Sequence, residues 1–124
     1  MSEESKYDAL INCPNLVSGV VRGERADSVQ VFWFDGSPRN IASFLMHHAD
    51  ADSIQITTAL DMPVVTSFGC FIDQCPDPAL LDTIREQLVP MQLGIVSPEE
   101  FFCPTNEEFD EHCRQAQSAS MTLS

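Results

Sequence analysis

Over residues 53–60 the chain reads SIQITTAL, with apolar and polar side chains taking turns. A period of two predicts a strand, with Ile54, Ile56, Thr58 and Leu60 on one face and Gln55, Thr57 and Ala59 on the wetter one. After the turn residues Asp61, Met62 and Pro63, VVTSFGCFI (64–72) reads as a returning strand, so the two form a hairpin. SVQVFWF (28–34) is apolar on both faces after Gln30, which predicts a strand in the centre of a sheet. LVSGVV (16–21) predicts a short strand with a bend or bulge at Gly19, followed by a loop through residue 27. A last short strand is expected over LGIV (93–96).

Three segments change period. Ser37 followed by Pro38 is an N-cap with proline at the first helical position, where its missing N–H costs nothing. The helix it opens runs to about His48, with Ile41, Phe44, Leu45 and His48 on one stripe. Asp77 and Pro78 open a second helix, whose stripe is Leu81, Ile84, Leu88 and Met91 and which Pro90 should end or kink. Thr105 and Glu108 form a capping box opening a third helix to about Ala119, with Phe109, Cys113 and Ala116 inward. Ser97 and Pro98 predict one further helical turn over 97–102, and residues 1–8 are expected to fray.

From 28 to 96 the order is strand, helix, strand, strand, helix, strand. This predicts an α+β fold: an antiparallel sheet with its helices on one face, in the βαββαβ order of ferredoxin-like domains. Residues 97–124 would be a C-terminal helical addition. At 124 residues the chain suits one domain, 1–124, able to bury a core without a disulfide or metal. No apolar run approaches the roughly 20 residues that span a bilayer, and the acidic start is no signal peptide. A soluble, cytoplasmic protein is expected, its five cysteines (an odd number, without a compact framework) free thiols.

Charge narrows the function classes. Nineteen acids oppose six bases, for a net −13. Residues 41–124 hold thirteen of the acids against Arg85 and Arg114 alone, and Lys6 is the one lysine. Such a surface repels nucleic acid and anionic membranes and attracts basic partners. It has few cations to hold phosphate or carboxylate substrates. The same bias also serves solubility alone.

The densest chemistry is FFCPTNEEFDEHC (101–113). As a zinc site it lacks the C-x2-C or H-x3-H spacing, and His112 and Cys113 diverge by about 100° on a helix. As a helix start it is well explained, apart from a surplus of acid: Glu107 and Glu111 are like charges four apart. His47 and His48, with Asp50 and Asp52 behind them, and Cys75 ahead of a helix are weaker candidates for metal or nucleophile chemistry. Cys75 is flanked by Asp73 and Asp77, which oppose a thiolate. Packing explains His48 and Cys113 better than chemistry does. We find no cofactor motif and assign no catalytic or metal residue.

The leading expectation is a small acidic interaction protein. Its carboxylates would stand in for phosphates and inhibit a basic, nucleic-acid-handling partner, as anti-defence proteins (anti-CRISPR or anti-restriction), immunity proteins and nuclease inhibitors do. The expected contact residues are Glu99, Glu100, Glu107, Glu108, Asp110 and Glu111, with Asp50 and Asp52 as a second patch. The alternative is a ligand-binding or regulatory domain without catalysis, as a monomer or a homodimer, using the strand face near Thr57 and Ser67.

Overall fold

The computed structural model describes residues 3–23 and 28–123, with side chains over 6–23 and 28–115. The expected loop therefore falls partly outside the described residues, at 24–27, and so does the side chain of Ala116. The elements are α1 (Glu3–Ile11), β1 (Leu16–Arg22), β2 (Val29–Asp35), α2 (Pro38–His47), β3 (Ser53–Thr58), β4 (Pro63–Phe68), β5 (Phe71–Gln74), α3 (Pro78–Gln92) and α4 (Asn106–Leu123). The five strands form one antiparallel sheet in the order β2-β1-β3-β4-β5. The α+β class holds. The strand arrangement differs from the ferredoxin-like one: residues 93–96 form no strand, and β1 lies between β2 and β3.

The two proline-led helices form where their caps predict. Ser37 Oγ accepts from Asn40 N, and Asp77 Oδ1 accepts from Ala79 N and Leu80 N. Both helices turn their apolar stripes to one face of the sheet. Ile41, Phe44 and Leu45 of α2 and Ile84, Leu88 and Met91 of α3 meet Val17, Phe34, Ile54, Ile56 and Val65 in one core. Burying each large side chain there contributes about 1.5–3 kcal/mol. Phe34 and Phe44 stack at 4.6 Å, worth about 0.5–1.5 kcal/mol more.

Gly19 makes no bulge. It pairs in register with Phe32 and Ile56. Its role is close approach: a Cβ there would lie 2.7 Å from Cε2 and Cζ of the Phe44 ring. Gly69 does mark a turn. With φ +59 it breaks the expected strand 64–72 into β4 and β5. β3 stops at Thr58, whose Oγ1 accepts from Leu60 N and Met62 N, and Leu60 is left exposed in the turn rather than on the covered face.

Four further expectations are corrected. β2 is an edge strand, not a central one; its apolar outer half is covered by other means. Residues 97–102 form no helical turn. They run extended as a strap, held by Glu99 N donating to Ser43 Oγ (2.9 Å) and by Trp33 N donating to Pro104 O (3.0 Å). Pro104 also keeps Cys103 out of helical geometry. The strap ends in a bridge from Thr105 to Phe32, so it lies along the free edge of β2. Residues 93–96 leave the sheet because Gly94 (φ +75) closes α3, and Ile95 N and Val96 N both donate to Pro90 O. Pro90 is held within α3, which ends two residues later. Finally, residues 3–11 are helical instead of frayed, with Leu10 buried and Tyr7 stacked on His112 at 4.4 Å.

Gly19→Ala should destabilise the fold by about 1–3 kcal/mol, the usual cost of overpacking, because the added methyl must displace Phe44. Urea unfolding at unchanged m-value is the check; a variant as stable as wild type would mean that the Phe44 contact does not constrain α2.

Candidate functional site

Thr105 and Glu108 form the capping box as spaced. Thr105 N donates to Glu108 Oε1 (3.1 Å) and Glu108 N donates to Thr105 Oγ1 (3.3 Å). α4 therefore starts at a defined point on the rim of the sheet. Trp33 secures it: its ring stacks on Phe109 at 5.3 Å and its Nε1 donates to Asn106 Oδ1 at 2.8 Å. Further along, His112 lies on Tyr7 of α1, 3.7 Å from Asp8.

This scaffold divides the eight expected contact carboxylates. Glu99 is bound to α2: its side chain pairs with Arg39 at 2.9 Å, and His47 Nε2 donates to its carbonyl at 2.8 Å. Glu108 caps its own helix. Asp110 pairs with Arg114 one turn on, at 3.5 Å. Glu107 and Glu111 are exposed and make no ion pair among the described residues. Glu107 lines a shallow cleft against Val29, Gln30 and Val31. Glu100 and Glu108 share a larger opening of about 540 Å³ with Lys6, Tyr7 and Phe102. Asp50 and Asp52 lie elsewhere, in the turn from α2 to β3, where Asp52 N donates to Arg22 O. Among the described residues they make no ion pair.

His48 leans on Phe44 (4.6 Å) and Phe32 (5.1 Å), and burial, then the charge of His47, lowers its pKa below the usual 6.5. Burial pushes the Cys103 thiol up to about 12. Burial also raises Cys13; a hydrogen bond from the Asn15 backbone opposes this and Asp35 reinforces it. Cys75 donates its thiol proton to Asp77 O at 3.2 Å. All five cysteines are unpaired and partly buried. Among the described residues no group of three or more His, Cys, Asp or Glu is disposed to hold a metal ion. No described helix is long and apolar enough to cross a membrane.

The strand face expected near Thr57 and Ser67 is two different faces. Thr57 lies on the open side of the sheet, its Oγ1 2.9 Å from Ser18 Oγ. Ser67 pairs with Ile54 on the covered side, fully buried, and donates to Gly69 O. Sequence reading named Thr57 of the open side but did not join Trp33, Val31 and Val20 to it. Its signal was there: Trp33, Val31 and Val20 are apolar at positions the alternation assigns to solvent.

In comparisons with known proteins, no protein-family model, no curated protein and no solved structure matches this chain.

The lowered His48 pKa has a definite sign. Folded His48 resists protonation, so the unfolded chain binds more protons just below pH 6.5, and stability falls as pH drops from about 7 through the lowered folded value. Thermal melts in steps from pH 7.5 to about 5.5 should show this loss, and His48→Phe should flatten it; an unchanged slope would assign the loss to other groups.

Proposed function

We propose that this is a non-catalytic acidic binding protein for a basic partner that handles nucleic acid, and that it competes with phosphate for the partner's cationic surface. The observation that supports the reading most directly is the pair Glu107 and Glu111. Like charges one turn apart weaken an isolated helix by about 0.2–0.5 kcal/mol. Here both are exposed on a helix anchored by Trp33 and Phe109, while neighbouring Glu108 and Asp110 are engaged within the helix. A rigid support that carries free carboxylates at a small cost in stability suits charge-led recognition, which speeds encounter and selects partners by sign.

The division of the acids refines the site. Glu107 and Glu111 are the primary contact residues, with Glu100 on the strap, where it shares an opening with Glu108, and with Asp50 and Asp52 as a second patch. Glu99, Glu108 and Asp110 serve the fold first. On this reading the net charge of −13 acts at range and the free carboxylates act in contact.

The test is capture by the immobilised chain from a lysate of its source, with low- and high-salt washes and competition by duplex DNA. A basic nucleic-acid-binding protein that DNA displaces, and that elutes as salt rises, is expected. Combined Glu107→Lys and Glu111→Lys substitution should weaken its retention by tenfold or more, given coupling of about 1.5–7 kcal/mol for close charge pairs, while the thermal midpoint stays near wild type. Equal retention by wild type and variant would remove α4 from the site. Absence of any basic partner would remove the reading.

A further inference from the structure

We propose that the cavity between α1, the end of β2 and the strap binds a primary ammonium group on a short apolar stem, with Asp35 as its counter-ion. The inference stands apart from charge-led binding through α4, although a lysine side chain of the proposed partner is one source of such a group.

The first observation is an orphaned acceptor. Among the described residues, Asp35 Oδ1 is the one buried side-chain oxygen or nitrogen without a hydrogen-bond partner. Asp35 makes no ion pair among them either. A carboxylate can only accept, and a buried oxygen left unmet is costly until a donor, best a charged one, reaches it. The Cys13 thiol, which burial and then Asp35 keep protonated, offers a weak S–H and no positive charge. Asn40 turns its Nδ2 to the Asp35 carbonyl at 2.9 Å, which leaves its own Oδ1 as a second acceptor.

The second observation is the room beside this carboxylate. Asp35, Asn40 and Cys13 line a cavity of about 250 Å³, whose walls include Leu10 of α1 and Phe101 and Phe102 of the strap. Sites for drug-sized ligands run to roughly 300–1,000 Å³, so this one suits a single short chain. Acceptors set beside aromatic and aliphatic walls select a cation that donates hydrogen bonds. One orphaned oxygen suits the point charge of an ammonium, whereas a planar guanidinium is best held by two parallel bonds.

Lys6 is the chain's own ammonium at this place. It is exposed, and it lines both this cavity and the neighbouring opening that holds Glu100 and Glu108. Its Nζ lies 6.0 Å from the centroid of the Phe102 ring and forms no ion pair with Asp35. The wall therefore accepts a cation, while the carboxylate stays unanswered. Lys6 is a rival for the incoming group and not its partner.

Amide NMR spectra of the full chain, titrated with n-butylammonium to about 50 mM at constant ionic strength, test the proposal. Saturable shifts centred on Leu10, Cys13, Asp35 and Asn40 are expected. n-Butyltrimethylammonium has the same charge and no N–H, and should bind about tenfold more weakly or worse, the share of a hydrogen bond to a charged group. Asp35→Asn should cause a similar loss, with an unchanged thermal midpoint showing that the variant is folded; if it does not fold, the two cations decide the matter on wild type. Lys6→Gln, on an exposed side chain, should leave binding at least as tight. Blocked lysine (Nα-acetyl-lysine methylamide) separates the sources. Binding as tight as that of n-butylammonium assigns the cavity to a protein side chain, and its exclusion while n-butylammonium still binds assigns the cavity to a small free amine. Equal binding of the two butyl cations overturns the proposal. So do shifts that spread over the acidic surface without saturating, a folded Asp35→Asn that binds like wild type, or weaker binding by Lys6→Gln.

Discussion

The packing of Phe44 against a bare stretch of backbone is the contact on which the rest of the architecture depends. Gly19, in the strand between β2 and β3, leaves room for the ring, and Phe34 and Phe32 enclose it from the neighbouring strand. This sets how closely α2 lies on the sheet. Once α2 is docked, Ser43 is fully buried, and its hydroxyl has a donor in Glu99 N and an acceptor in Met91 Sδ, 3.9 Å away. A buried hydroxyl without partners is costly. Here the same atom joins α2, α3 and the strap.

The strap in turn resolves the exposure of β2. An edge strand as apolar as VQVFWF is a hazard for misassociation. Phe101 lies 5.4 Å from Phe34 on the core side, Pro104 accepts from Trp33 N along the edge, and Phe109 covers the indole on the outer side. The acidic residues at 99–111 therefore belong to a segment with a structural duty. Some of its carboxylates are consumed by that duty and others are left free, and this division shapes the proposed contact. The cysteines follow the same logic: Cys103 is core material in the strap, and burial holds its thiol protonated.

The charge distribution gives the molecule two kinds of surface. Most of the described acids lie on helices and turns, with Asp35 and Asp73 on strands, while Phe68 and Phe71 are exposed at one edge of the sheet.

What the sequence determined by itself is what short-range physics governs. Ser37-Pro38, Asp77-Pro78 and Thr105 with Glu108 are helix starts because each satisfies backbone donors within a few residues. The alternation in 53–58 is a strand because side chains on a pleat alternate. The net charge, and the lack of a complete metal motif in 101–113, were equally legible. What only the tertiary structure decided is non-local. β2 looked central because both its sides are apolar, yet one side is covered by a strap more than sixty residues away in the chain. LGIV looked like a strand, but Gly94 turns it back onto Pro90. Gly19 looked like a bend, and its missing side chain instead admits a ring from α2. Which carboxylates remain free, and that Thr57 and Ser67 face opposite ways, depend on register and on distant partners. No window of neighbouring residues contains that information, because the chain supplies those contacts from far along its length.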